Sequence, residues 1–127
     1  RAAVVTPNLI EAEILAGRRI RSLDELREVT RALTEQHDVP LLVKGGHLRG
    51  AKRAVDVLYD GRRFHEFSAP LIPRIRTHGT GCTYSAAIAA NLALGCGLVD
   101  AIGRAKIFVT RAIRDAVRIG RFHALKI

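Results

Sequence analysis

Residues 77–86 read Thr-His-Gly-Thr-Gly-Cys-Thr-Tyr-Ser-Ala, and an apolar, alanine-rich run follows them. Two glycines around one threonine predict a tight turn feeding the N-terminus of a helix. The first amides of a helix have no intrahelical acceptor and sit at the positive end of its dipole. Gly79, Thr80 and Gly81 therefore make a candidate cradle for a phosphate or an oxyanion. Cys82 falls in the first turn, where the same dipole favours thiolate, so it is a candidate base or nucleophile. The alternative is structural: a glycine turn ahead of a core helix, with Cys82 as a small buried residue. A lone Gly-x-Gly-Cys does not separate the two.

Outward from this turn, strand and helix signals alternate. Upstream, a loop holds Pro70 and Pro73. Before it, residues 54–59 and 63–68 flank Asp60-Gly61, a strong hairpin signal. Leu41-Leu42-Val43 is a continuous apolar run that suits a strand buried on both faces, closed by Lys44-Gly45-Gly46-His47. Ser22 with Glu25 predicts a capping box, and Leu23, Leu26, Val29 and Leu33 recur at helical spacing to about His37. Residues 2–6 read as the end of a strand, after which Asn8 caps a helix that runs through Ala16 and stops at Gly17. Downstream, helices are predicted over about 80–94 and 98–118. The second carries Ile102, Ala105, Val109, Ala112, Ile113 and Ala116 as one stripe. This alternation indicates an α/β fold with a mainly parallel sheet flanked by helices and a hairpin near residues 54–68. In such sheets ligands sit beyond the carboxyl ends of the strands. Asn8, Lys44 and Gly79 all follow strand-like runs, so one sheet edge can collect them.

Composition limits the function classes. The chain has 127 residues, nearly half of them hydrophobic, and a formal net charge of +9. That suffices for one globular domain with a real core. The cations are spread along the chain, and aromatics supply no stacking platform, which argues against a nucleic-acid module. A polyanionic small substrate also suits a basic cleft. No apolar run approaches the ~20 residues that span a bilayer, so no membrane role is expected. Cys82 and Cys96 have no metal-ligand spacing, and a reduced, cytoplasmic setting is expected. The chain opens on Arg1 and an apolar run, Ala2-Ala3-Val4-Val5, which reads as a cut inside a larger protein.

Two further groups carry candidate chemistry. Asn8 and Glu11 stand one helical turn apart and share a face. Their oxygens could serve Mg²⁺, directly or through water; a helix cap with an exposed acid is the other reading. Lys44 ends a buried strand beside two glycines, from where it can neutralise phosphate or merely snorkel to water.

Taken in order, Thr6-Pro7-Asn8-Leu9-Ile10-Glu11-Ala12-Glu13, Lys44-Gly45-Gly46-His47-Leu48, Asp56-Val57-Leu58-Tyr59-Asp60-Gly61 and His78-Gly79-Thr80-Gly81-Cys82-Thr83 resemble the hydroxymethylpyrimidine/phosphomethylpyrimidine kinases of thiamine biosynthesis. The likeness runs from residue 1 to about 120. It implies a ribokinase-like fold, of which residues 1–127 are the C-terminal part of a single kinase domain, without the N-terminal half. It implies ATP- and Mg²⁺-dependent phosphorylation of the pyrimidine alcohol and then of its monophosphate. By position, Gly79, Thr80, Gly81 and the Cys82 amide would form the anion hole. Cys82 would stand where most ribokinase-like enzymes carry an aspartate base. Asn8 and Glu11 would organise Mg²⁺ and phosphate, and Lys44 would neutralise phosphate charge. The implied partners are ATP and a small pyrimidine, and a homo-oligomer is compatible with the likeness. A pyridoxal or pyridoxine kinase of the same superfamily, or a non-catalytic ligand-binding remnant, are the competing readings. The tail Gly120-Arg121-Phe122-His123-Ala124-Leu125-Lys126-Ile127 departs from the Gly-His-Gly-Pro-Val-Asn-like ending usual in the family.

Overall fold

The computed structural model describes residues 2–46, 48, 50–72, 79–119 and 122–127. These fall into two compact units, Arg1–Pro70 and Leu71–Ile127.

In the first unit the chain passes through helices α1 (Leu9–Ala16) and α2 (Leu23–His37) before strand β1 (Leu41–Lys44). Strands β2 (Arg53–Tyr59) and β3 (Phe64–Pro70) follow. Both helices begin and end where local chemistry places them. Asn8 caps α1, and Gly17 ends it at φ 66°, a conformation costly for any residue with a Cβ. The Ser22 hydroxyl accepts the Glu25 amide at 3.2 Å. The reciprocal bond of the expected box shifts by one residue: the Glu25 carboxylate accepts from the Arg21 amide at 2.7 Å. Asp38 closes α2 in the left-handed region at φ 48°.

The sheet order is β1-β2-β3, with antiparallel pairing throughout. Parallel pairing among the described residues is confined to Val5 with Leu41 and Asn8 with Lys44. The sequence predicts a mainly parallel sheet. Here antiparallel pairing dominates, because β2 meets β3 through the Asp60-Gly61 hairpin and also pairs antiparallel with β1. The hairpin loop is residues 60–63, so β3 starts one residue later than the sequence reading. Asp60 explains the length: one carboxylate oxygen accepts the amides of Arg62 and Arg63, each at 2.8 Å. Its other oxygen meets His65 Nε2 at 2.9 Å.

The core of this unit joins Ala12, Ile20, Leu26, Val29 and Leu33 to one sheet face, Leu41, Val43 and Val57. Leu42 and Leu58, on the other face, are equally buried. That agrees with a strand apolar on both sides. Arg27 ties α2 to the hairpin through Glu66 of β3 at 2.6 Å, and also binds Asp24.

In the second unit, α3 (Thr80–Ala93) packs on α4 (Leu98–Arg114). Tyr84 and Ile88 are the buried residues of α3. Ala101, Ile102, Ala105, Val109 and Ala112 are those of α4. The expectation of a helix to residue 118 is corrected. α4 stops at Arg114, and β4 (Val117–Ile119) pairs with β5 (Phe122–Ala124) as an antiparallel ribbon. The apolar stripe runs on through Ala116, but Val117 and Ile119 are β-branched and alternate about Arg118, which suits strand pairing. Among the described residues no helix is long and apolar enough to cross a membrane.

Candidate functional site

Each unit gathers one group of the candidate residues. In the first, Asn8 and Lys44 become neighbours. The Lys44 amide donates to the Pro7 carbonyl at 2.9 Å, and Asn8 bridges to Lys44 in parallel register. Residues 36 apart in sequence thus meet at the carboxyl end of β1, the edge where α/β folds bind ligands. Gly45 lets the chain turn there. A Cβ at that position would collide with the Val55 carbonyl oxygen and the Leu26 side chain. Only glycine lets the backbone hug β2 immediately after Lys44. Lys44 itself is half-buried. His47 lies outside the described residues.

Asn8 and Glu11 form a complete capping box. The Asn8 side-chain oxygen accepts the Glu11 amide at 2.9 Å, and Glu11 Oε2 accepts the Asn8 amide at 2.7 Å. The cap reading of this pair is therefore correct. It does not exhaust the acid, because Glu11 Oε1 takes no part in the box. One free carboxylate oxygen is a usual protein contribution to Mg²⁺, which keeps most of its shell for water and substrate phosphate. No group of three or more metal-ligating side chains exists among the described residues. Glu13 serves structure instead. It accepts the Ile20 amide at 2.9 Å and pairs with Arg19, and these bonds, the Ile20 amide first, hold its carboxyl below the ordinary value.

In the second unit, Gly79 caps α3 at φ 80°, ψ 2°, a left-handed conformation that favours glycine. The first intrahelical bond runs from the Thr83 amide to the Gly79 carbonyl at 2.8 Å. The amides of Gly81 and Cys82 precede that ladder and have no acceptor within the helix. Among the described residues no side chain caps this end, and its first turn holds no acid. The positive end of this 14-residue helix thus carries no acid in its own first turn. Cys82 is an exposed free thiol, which excludes its reading as a small buried residue. Thr77 and His78 lie outside the described residues, as does the loop residue Pro73.

Asp56 received no role in the sequence reading. It is 2% exposed, within the apolar strand β2, and directly opposite Lys44. A charge flanked by Val55 and Val57 is the signal that could have singled it out.

The phosphomethylpyrimidine kinase family profile matches residues 1–125. The chain is 43% identical over 118 residues to the hydroxymethylpyrimidine/phosphomethylpyrimidine kinase of Aquifex aeolicus, covering 93% of this chain and 46% of that protein. It is 48% identical over 122 residues to the thiamine biosynthesis bifunctional protein ThiED of Geobacter sulfurreducens, covering 96% of this chain and 25% of that one. Among solved structures, an ADP complex of Bacillus subtilis pyridoxal kinase superposes with a TM-score of 0.91 at 35% identity. That alignment covers 98% of this chain and 48% of the kinase. The chain spans about half the length, or less, of the relatives it matches.

Proposed function

From the premise that this chain belongs to the phosphomethylpyrimidine kinase family, we propose that the protein carrying it phosphorylates 4-amino-5-hydroxymethyl-2-methylpyrimidine and then its monophosphate, with ATP as donor, for thiamine biosynthesis. The observation that carries the reading is the pair of motif clusters, one at the carboxyl end of β1 and one at the N-terminus of α3, ends of a kind that suit phosphate. Residues 1–127 would form the C-terminal part of one ribokinase-like kinase domain, whose complete sheet is mainly parallel. A cytoplasmic setting accords with two free cysteines.

Phosphoryl transfer asks for positioning and for charge stabilisation more than for covalent chemistry. The amides at residues 79–82 would receive the equatorial oxygens of the transferring group. Lys44 would meet phosphate as a point charge. Cys82 Sγ would take the proton of the acceptor hydroxyl as that oxygen attacks in line. Glu11, through its free oxygen, and Asn8 would hold Mg²⁺ or its waters. The ion, when bound, would neutralise charge between the phosphates.

A second reading, a pyridoxal kinase, is favoured by the structural likeness to the Bacillus subtilis enzyme. The deciding experiment measures ADP release by the full gene product with the pyrimidine alcohol, its monophosphate and pyridoxal in separate assays. Turnover of the two pyrimidines and not of pyridoxal supports the proposal. Turnover of pyridoxal alone replaces it with the second reading, and no turnover of any of the three removes both.

A further inference from the structure

Helix α1 is apolar on every side. Six of its eight residues, Leu9-Ile10-Glu11-Ala12-Glu13-Ile14-Leu15-Ala16, are apolar, but the helix fully buries only Ala12. Leu9 and Ala16 pack partly on the core beside α2 and β1. Ile10, Ile14 and Leu15 lie away from that contact and are 66%, 74% and 51% exposed. Ile10 and Ile14 stand one turn apart and share a strip of the helix. Glu11, the acid on this side, folds back onto the Asn8 amide and leaves the rest of the face apolar. Helix α2 differs: it exposes Asp24, Glu28, Arg31 and Glu35 and keeps Leu26, Val29 and Leu33 inside. That is the pattern of a surface helix, whereas a helix apolar all round is a buried one.

We propose that the outward face of α1, Ile10, Ile14 and Leu15, is an internal docking surface, covered in the full gene product by the N-terminal half of the same kinase domain. The inference rests on the reading of residues 1–127 as the C-terminal part of one larger domain. Chain is available to cover the face: more than half of the Aquifex aeolicus kinase lies beyond the matched stretch. The chemistry of the face selects against the other occupants. An anionic membrane surface or a nucleic acid needs cations beside the apolar groups. The last turn of α1 has no basic residue, and the arginines that follow it are engaged, Arg18 with Glu28 and Arg19 with Glu13. A second copy would need about 20–30 residues a side for a stable interface, and this helix offers three side chains. An apolar patch of that size suits a contact inside one domain, where no translational freedom is lost on docking.

The test is made on the full gene product, by calorimetry and by light scattering at several protein concentrations, for the parent, Ile14→Lys and Ile14→Ala. Lysine and alanine are both better helix formers than isoleucine. At a position left in water, each should therefore hold or raise the thermal midpoint. At a position covered by the rest of the chain, Ile14→Ala is expected to lower it by about 4–8 °C, and Ile14→Lys by more. A fall of that size, independent of protein concentration and with the molar mass of the parent, upholds the proposal. A midpoint equal to the parent's or above it in both variants overturns it. So does a fall that depends on concentration and accompanies a drop in molar mass, because a second copy then covers the face. Should Ile14→Lys fail to fold, Ile14→Ala decides alone. The underlying reading is judged separately on the parent: two independent unfolding transitions refute the single larger domain and the inference with it, whereas one transition with unmoved variants refutes the inference alone.

Discussion

Glu11→Gln separates a helix cap from the proposed ion-handling carboxylate, because the cap occupies one carboxylate oxygen and leaves the other out of the box. Glu11 Oε2 accepts the Asn8 amide at 2.7 Å, and the Asn8 side chain accepts the Glu11 amide at 2.9 Å. Glutamine at the third helical position also completes a capping box. The substitution therefore keeps both bonds and removes one negative charge from the helix N-terminus. That charge is worth about 0.3–1 kcal/mol at an exposed site. The thermal midpoint should then fall by about 1–4 °C. Asn8→Ala, which deletes the cap, should cost about 0.5–2 kcal/mol, and its midpoint should fall further. Mg²⁺ dependence should show the opposite ranking of effects. A charge-assisted contact is worth about 1.5–3 kcal/mol, so the Mg²⁺ concentration giving half-maximal turnover should rise about tenfold to a hundredfold in Glu11→Gln. Calorimetry and a coupled ADP-release assay with Mg²⁺ titrated at fixed ATP measure the two quantities on one preparation. An unchanged Mg²⁺ titration alongside the small loss of stability refutes the reasoning and leaves Glu11 a cap alone.

Cys82→Ala should lower turnover by about 10²–10⁴-fold, the usual size of a general-base contribution, with ATP affinity nearly intact because the amides at 79–82 remain. Cys82→Asp should recover part of the loss, and turnover of the alanine variant equal to the parent would remove the thiol from the mechanism. Asp60 predicts a stability change in acid. The amide of Arg63 first, then the His65 ring, lower its carboxyl from 3.8 to about 2 in the folded state. Its contribution is therefore complete above about pH 4 and disappears as pH falls through about 2. The full linkage is about 2 kcal/mol, and solvent screening of a side chain 27% exposed reduces it to about 1 kcal/mol. Denaturant unfolding between pH 5 and pH 2 should be flatter in Asp60→Asn than in the parent, and parallel curves count against it. Gly45→Ala should destabilise the protein by about 1–3 kcal/mol, since the new methyl meets backbone and a packed leucine. A denaturation midpoint within error of the parent would show that β2 can move aside.

Much of the fold is legible from short-range rules because the forces that set it are short-range. Asn8 and Gly17 bound α1, Ser22 opens α2, and Gly79 opens α3. In each case a side chain or a glycine satisfies backbone groups within four residues. The Asp60-Gly61 hairpin is legible for the same reason, although the carboxylate of Asp60 sets its length. The end of α4 is not legible. The helical stripe continues past Arg114, and the pairing of Val117–Ile119 with Phe122–Ala124 overrides it.

The candidate site divides along the same line. The sequence by itself determined which residue types could handle phosphate and that a helix would present the amides at 79–82, because a glycine turn followed by a helix start is a local property. Tertiary structure alone decided that Asn8 lies beside Lys44, that the thiol of Cys82 is exposed, and that Asp56 is buried across from Lys44. Those facts depend on strand register and on what covers each face. Register is set by burying Leu41, Val43 and Val57 against α1 and α2, a free energy summed over residues distant in sequence that no single motif contains.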